Sequence, residues 1–332
     1  VYGRGKLFMK VLVTGATGLV GNNVVRLLLK RGDAVRVLAR EQSDPRPLAG
    51  LEVEIMRGDL REIPALTKAV EGTDLVIHAA AQVHIGWTGL AIAQAVNVDG
   101  TRAVAQAARL SGCRMVYVST VDALGLSSHG VASDENTPPT NGVLCPYVLT
   151  KRGAEQALLN EVAAGLAAVI VNPGYMIGPW DWKPSSGRML LQVARGWGLC
   201  APLGSNSYCD VRDVAAGILS AAERGIVGQR YILAGESLSY FQAWRIFAQV
   251  TGATPPVIPI GPLVRFAVGQ AGDLVTRLTG KESDINSAAL TIAGQSRNFS
   301  SARATAELGY RSRPLAESAE AAWIWFRENG YV

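Results

Sequence analysis

Two groups of residues have types and spacings that chemistry could use. In the first, Thr14-Gly15-Ala16-Thr17-Gly18-Leu19-Val20-Gly21 lies between a short β-rich run and an apolar helical pattern. Glycines at 15, 18 and 21 allow a tight turn, close approach of backbone to a pyrophosphate and close packing of helix on sheet, and the helix N-terminus then faces the anion. Gly15, Thr17, Gly18, Leu19 and Val20 are therefore candidate dinucleotide contacts. An ordinary strand-to-helix turn is the bland alternative, and the loop's place in the first β-α-β unit argues against it. An enzyme for NAD normally carries Asp or Glu at the end of the second strand, where it accepts from the ribose 2′-hydroxyl; this chain has Ala39-Arg40. A guanidinium pairs with a 2′-phosphate, so Arg40 favours NADP over NAD, while Glu41 keeps NAD open.

The second group is Tyr147-Val-Leu-Thr-Lys151. A spacing of four on a helix puts both side chains on one face, where an ammonium favours the phenolate and pulls a phenol down from a pKa of roughly 10. That makes the tyrosine a proton donor or acceptor near neutral pH. A buried Tyr beside an unrelated surface Lys is the alternative, weakened by the presence of the glycine loop. No rival chemistry emerges. His78, His84 and His129 lack metal-ligand spacing, His78 ends a buried strand and reads as core, and neither a G-x-S-x-G elbow nor a G-x-x-x-x-G-K loop occurs.

These groups need a scaffold that brings loops at strand ends together. Short β-rich runs at Lys10 to Thr14, Ala34 to Ala39, Leu51 to Met56, Asp74 to Ala79, Arg114 to Ser119 and Ala167 to Val171 alternate with helical patterns. Val20, Val24, Leu27 and Leu28 form the stripe of the first helix, which Gly32 can cap. Further helices are expected at Ile63 to Val70, Ala91 to Leu110 and Tyr147 to Ala164. Runs apolar on both faces, such as Leu75-Val76-Ile77, suit strands covered by helices on both sides. The fold class is α/β, a doubly wound parallel sheet of the Rossmann type with a smaller C-terminal substrate lobe. Residues 9–172, with 211–234 returning to them, form the cofactor domain; 173–210 and 235–332 form the lobe. Its last helix has Pro314 at the first helical position and Leu315, Ala319, Ala322, Trp323 and Phe326 on one face.

Composition narrows the classes. The 332 residues are 48% hydrophobic and 18% charged, which suits a core-forming globular protein and neither disorder nor coiled coil. The 36 glycines are a surplus that loops at strand ends can absorb. A formal charge of +5 includes Arg4 and Lys6 within Val1 to Phe8, a segment that reads as a remnant ahead of a start at Met9. With no block of like charges there is no electrostatic case for nucleic acid or an anionic membrane. Cys113, Cys145, Cys200 and Cys209 have no C-x-x-C spacing and read as reduced thiols. No apolar run reaches the roughly 18 residues that span a bilayer; the longest, Pro262 to Val275, is interrupted by Arg265 and Asp273. A cytoplasmic location is expected.

The chain from Met9 onward resembles the extended short-chain dehydrogenases/reductases. The resemblance is carried by Thr14-Gly-x-x-Gly-x-x-Gly21, Gly58-Asp59-Leu60, His78-Ala79-Ala80-Ala81, Asn97-Val-Asp-Gly-Thr101, Val118-Ser-Thr120, Tyr147-x-x-x-Lys151 and Asn172-Pro173 with Gly178-Pro179. Within that family Val169 to Pro179, Asp210-Val-Arg-Asp-Val-Ala215 and Gly228-Gln-Arg-Tyr-Ile-Leu233 look most like the dihydroflavonol-4-reductase-like branch. The resemblance implies that Asp59 and Leu60 meet the adenine, that Ala79, Ala80 and Ala81 line the path to the nicotinamide ribose, and that Pro173 borders the nicotinamide. It implies Tyr147 as acid/base and as a cofactor contact, Lys151 on the ribose and Thr120 polarising the substrate oxygen, and a homodimer through the helices of 91–110 and 147–164.

Departures from the family pattern bear on the reaction. Sugar-nucleotide dehydratases carry Thr-Asp-Glu where this chain has Thr120-Val121-Asp122, which disfavours dehydration. Nucleotide-sugar epimerases usually hold Asn, a diphosphate contact, where Tyr175 stands. Trp87, Tyr175, Met176, Trp180 and Trp182 fall on segments expected to border substrate, with Asp122, and suggest an apolar pocket. The expected activity is NADP-dependent reduction of a ketone or aldehyde. A nucleoside-diphosphate-sugar epimerase with tightly held NAD(P) is the alternative, and a non-catalytic dinucleotide sensor, which would not need the Tyr-Lys pair, is the third reading.

Overall fold

The computed structural model describes residues 9–127, 130–139 and 142–332. Val1 to Phe8 and His129 lie outside the described residues. Strands β1 (Lys10–Thr14), β2 (Ala34–Ala39), β3 (Val53–Arg57), β4 (Leu75–His78), β5 (Arg114–Val118) and β6 (Ala168–Pro173) alternate with helices α1 (Leu19–Arg31), α2 (Ile63–Val70), α3 (Leu90–Ala93), α4 (Gly100–Leu110) and α5 (Pro146–Ala163). Then follow β7 (Tyr175–Ile177), α6 (Arg188–Gln192), β8 (Cys200–Pro202), β9 (Ser205–Asp210), α7 (Val211–Arg224) and β10 (Arg230–Leu233). The chain closes with β11 (Glu236–Ser239), α8 (Tyr240–Thr251), β12 (Ile258–Ile260), α9 (Pro262–Thr279), α10 (Ser287–Ile292), β13 (Ser296–Arg297) and α11 (Leu315–Glu328).

Seven parallel strands form the central sheet in the order β10-β6-β5-β4-β1-β2-β3. Successive side chains point to opposite faces, so one strand set feeds two cores. Val11, Val13, Val37, Ile77 and Val169 pack under α1 and α7. Leu12, Val76, Met115, Tyr117 and Ile170 pack under α2, α4 and α5. The strand order reverses between β1 and β4, which opens a crevice at their carboxyl ends, where Thr14 and His78 stand side by side.

Three local features differ from the sequence reading, and each has a physical cause. The helix expected over Ala91 to Leu110 contains π turns at Gln94–Asp99, where the Asn97 side chain is drawn onto Gln82 and Thr150. Such bulges occur often at functional sites. Pro314 precedes the last helix as its N-cap, and Trp325 takes the core position expected for Trp323, which is only partly buried. Ala304, Leu308 and Tyr310 bury against the sheet's α1/α7 face, inside a stretch read as lobe. The lobe's own core joins Ile177, Leu190, Tyr208, Phe247, Trp325 and Phe326.

Candidate active site

The glycine loop joins β1 to α1 and is fixed by backbone contact. Gly15 has φ +74°, and a Cβ there would stand 2.6 Å from the Ala80 nitrogen; one at Gly21 would stand 2.2 Å from the Gly15 oxygen. Gly18 is different: it is exposed, and the only atom near its would-be Cβ is the Gly15 oxygen at 3.4 Å. Gly18 is also the N-cap of α1, with no side-chain capping bond and no acid in the first turn. The loop therefore presents an uncompensated helix N-terminus behind a surface with no side chain on it, which fits a pyrophosphate. A Gly18→Ala protein is expected to keep its melting temperature while its dinucleotide Kd rises at least about tenfold, measured by titration calorimetry. Equal loss of stability and binding would contradict this assignment.

Around the loop, Thr17, Leu19 and Val20 open α1, and Ala79, Ala80 and Ala81 leave β4 half-buried opposite Gly15. His78 is fully buried between the Thr14 and Thr101 hydroxyls, at 2.6 and 3.1 Å. Burial, helped by Lys151, pushes its pKa down to about 3, so it is a neutral core residue. Arg40 is exposed at the end of β2, and the Arg57 guanidinium donates to its carbonyl at 3.2 Å. Sequence reading overlooked Arg57, whose position at the end of the neighbouring strand is the signal for it. The Asp59 carboxylate accepts from Nε, Nη2 and the backbone N–H of Arg61, and these hydrogen bonds hold its pKa below the usual range. Leu60 rests against Gly100 at the start of α4.

Tyr147 lies in the first turn of α5, begun by Pro146. Thr120 and Asp122 belong to the turn after β5, where the Thr120 hydroxyl donates to Asp122 Oδ2 at 2.9 Å. The Tyr147 phenol adjoins Thr120 and Asp122; burial and then the Asp122 charge raise its pKa, while its hydrogen bond with Thr120 lowers it. This corrects the expectation of a phenol pulled down by the neighbouring ammonium. Lys151 is 2% exposed and donates to the Val118 carbonyl at 2.8 Å, with burial bringing its pKa down to about 7. Both groups of the pair are desolvated, and in each the neutral form gains.

Two residues behind this cluster were not singled out from the sequence. Glu155 accepts from the Ser119 hydroxyl at 2.5 Å, from Asn172 Nδ2 at 2.8 Å and from Arg230 at 2.7 Å. Asn172 in turn donates to the Thr120 carbonyl at 2.9 Å, so Glu155 braces the strand ends that hold Thr120. Its position four residues after Lys151 puts it on the stripe shared with Tyr147, a readable signal. Arg297, from β13 in the lobe, pairs with Asp122 across 175 residues of chain. Nothing local in the sequence announces that contact.

A cavity of ≈ 250 Å³ opens beside Tyr147, lined by Gln82, His84, Thr88, Ile92 and Pro146 among others. Asn97 pins its Gln82 wall through the Gln82 N–H at 2.7 Å and carbonyl at 3.1 Å. Trp87 stands near the mouth, its indole donating to the Ser287 hydroxyl at 2.7 Å. The other expected substrate residues have different surroundings. Tyr175 turns its hydroxyl to the Ser186 carbonyl at 2.9 Å and its ring onto Tyr208. Met176 packs against the sheet core, and Pro173 is buried at the end of β6 beside Leu233. Trp180 has φ +69°, lies under the Arg26 guanidinium 3.3 Å from its ring centroid, and packs with Trp182 and Trp325. With Asn23 donating to the Pro179 carbonyl at 3.0 Å, Trp180 joins the lobe to α1.

Comparison with known proteins agrees with this architecture. The model of the NAD dependent epimerase/dehydratase family matches residues 11–234. A Methylococcus capsulatus protein called sterol demethylase protein B is 34% identical over 328 residues, 98% of this chain and 100% of its own. A Synechocystis protein provisionally named a dihydroflavonol 4-reductase is 32% identical over 329 residues, 96% of this chain and 95% of its own. The solved structure of gox2253 superposes with a TM-score of 0.85 at 36% identity, covering 96% of this chain and 98% of that one. With its doubly wound sheet and glycine loop, this chain belongs to the NAD-dependent epimerase/dehydratase family and is an NAD(P)-dependent oxidoreductase of the extended short-chain type, in the dihydroflavonol-4-reductase-like branch.

Proposed function

We propose that the chain is an NADP-dependent reductase of an apolar ketone or aldehyde, with Tyr147 as the acid/base. The observation that carries this reading is a phenol at a cavity wall, beside a threonine hydroxyl, whose burial and acidic neighbour keep it protonated. Such a group gives its proton to an oxygen that is gaining negative charge. Gly15, Thr17, Gly18, Leu19 and Val20 would hold the pyrophosphate, Asp59 and Leu60 the adenine, and Arg40 the 2′-phosphate. Ala79 to Ala81, Lys151 and Pro173 would border the nicotinamide riboside. When bound, the dinucleotide supplies the hydride.

The chain's own groups do the rest. Thr120 Oγ1 turns from Asp122 to donate to the substrate oxygen, and Tyr147 Oη delivers its proton there as the oxygen becomes alkoxide-like. Arg297 compensates the Asp122 charge during that turn. Lys151, with a pKa brought down to about 7, is the group that can return a proton toward Tyr147. The apolar substrate class is supported by exposed apolar residues around the cavity mouth and by the sterol in one relative's name. Engagement of the Tyr175 hydroxyl by backbone leaves a diphosphate without the contact that the epimerase reading needs.

Initial-rate assays on a panel of apolar ketones test the reading. Net NADPH consumption is expected, with kcat/KM at least about tenfold above that with NADH. Arg40→Asp should lower kcat/KM for NADPH by about 10- to 100-fold, the worth of a charge-assisted bond, and leave NADH within about threefold. Equal effects on both cofactors would remove Arg40 from the site. Conversion of a nucleotide sugar without net NADPH loss would favour the epimerase.

A further inference from the structure

Helix α9, eighteen residues long, is built inside out. Its inward face is polar or small: Gly269 and Gly272 lie against the backbone of Ser287 and Ile285, Asp273 accepts the Ser287 N–H at 3.0 Å, and the Thr276 hydroxyl accepts the Ser283 N–H at 3.1 Å. Arg265 folds over Gly294 on the same side. At 100° per residue the opposite face carries Leu263, Val264, Ala267, Ala271, Leu274 and Leu278, with no charge among them. Leu263 is 85% and Leu278 78% exposed. A helix of a water-soluble surface normally has the reverse arrangement.

The surroundings indicate what covers this face. The apolar surface continues from the start of α9 onto the β8–β12 ribbon, where Ile258 pairs with Cys200 and the exposed Val257 and Leu199 adjoin it. Trp197, 78% exposed, stands just before β8. Of the exposed charges on the flanks, those without an ion-pair partner among the described residues are basic: Arg195, Arg277 and Lys281. Nearby acids are taken up, Asp273 by backbone, Glu282 by the Trp87–Thr88 turn and His84, and Asp284 by Arg188. Arg195 is some eighty residues from Arg277 and Lys281, so these cations form no block in the sequence. The expectation of no electrostatic case for an anionic membrane is corrected where the fold brings them beside one apolar face: that face, an interfacial tryptophan and a basic flank are the combination that fits an anionic bilayer. The far end of α9 leads through Glu282 and Asn286, which bond the Ile85–Thr88 stretch, to the mouth of the cavity beside Tyr147.

We propose that α9 and the β8–β12 ribbon form a docking surface for anionic phospholipid membrane, on which the protein rests with its cavity mouth toward the lipid. The helix lies on the surface; no helix among the described residues is long and apolar enough to cross a membrane. A second copy of the chain is the weaker occupant, because the same face on a partner would bring further basic residues to Arg195, Arg277 and Lys281. Delivery of an apolar substrate from the bilayer rests on the function proposed above, whereas docking itself does not.

Co-sedimentation of the full chain with vesicles of phosphatidylcholine plus phosphatidylglycerol, and of phosphatidylcholine alone, separates the possibilities without using turnover. Wild-type protein should bind the anionic vesicles, and Leu263→Glu/Leu274→Glu/Leu278→Glu should lower partitioning at least about 100-fold. Arg277→Glu/Lys281→Glu should lower it about tenfold on the anionic vesicles only. Unchanged melting temperature and NADPH affinity show that the triple variant is folded; Leu278→Glu alone, with a smaller loss, replaces it if it is not. Failure of wild-type protein to bind, or equal binding by the variants, overturns the proposal. So does a wild-type dimer that the triple variant dissociates in light scattering, which would assign the face to a second copy. Ketone reduction by the triple variant in lipid-free solution should match wild type, so the enzymatic reading stands or falls separately.

Discussion

Tyr147→Phe is expected to lower kcat for ketone reduction with NADPH by about 10³-fold, or about 4 kcal/mol of transition-state stabilisation. The ring of Tyr147 packs with Val148, Cys145 and Ala288 and survives the change, so the cavity wall is preserved. Only the hydroxyl beside Thr120 is lost, and with it the proton that the developing alkoxide needs. The NADPH Kd should stay within about threefold, because Tyr147 acts on the substrate oxygen. Stopped-flow single turnover with pre-bound NADPH isolates the chemical step from release. A variant turning over near the wild-type rate would mean that another group supplies the proton.

Glu155→Ala should destabilise the protein by about 3 kcal/mol and lower its apparent melting temperature by about 4 °C in calorimetry. The carboxylate is almost wholly buried, and its removal leaves the Ser119 hydroxyl, Asn172 Nδ2 and the Arg230 guanidinium without their acceptor. Removing one member of a buried charged network typically costs about 3–5 kcal/mol; partial exposure of Arg230, which can take water in place of the carboxylate, puts this case at the lower end. Because Asn172 also holds the Thr120 carbonyl, a fall in kcat with little change in KM should accompany the loss of stability. A melting temperature within about 2 °C of wild type would show that the network is dispensable.

The sheet was legible because its signals are local. Lys10–Thr14, Ala34–Ala39 and Ile63–Val70 have the bounds that their patterns suggest, since a strand buried on both faces and a striped helix are both written in consecutive residues. The π turns around Asn97 were not legible, because they depend on side-chain partners in Gln82 and Thr150. Trp325 replaced Trp323 in the core for a similar reason: the α11 stripe allows either, and packing with Trp180, Trp182 and Phe326 decides. In the site, the glycine loop and the Tyr-Lys spacing could be read directly. The Asp122–Arg297 pair could not, because it joins the two lobes.

Helix α9 shows how a linear reading loses information that a helical projection keeps. Arg265 and Asp273 interrupt the apolar run of Pro262 to Val275 in sequence, which argues against a membrane span. Both turn inward in the fold, against Gly294 and Ser287. The outward face is left uniformly apolar. The charges that exclude spanning are thus compatible with resting on a lipid surface.

Incubation of the wild-type protein with an apolar ketone and NADPH deuterated at the transferable position of C4, followed by mass spectrometry of the product, tests the central claim most directly. The account predicts an alcohol with one deuterium on the carbinol carbon, formed in step with net loss of NADPH, and neither in Tyr147→Phe on the same timescale. An alcohol formed without deuterium, or a rearranged sugar nucleotide with the cofactor pool unchanged, would contradict it.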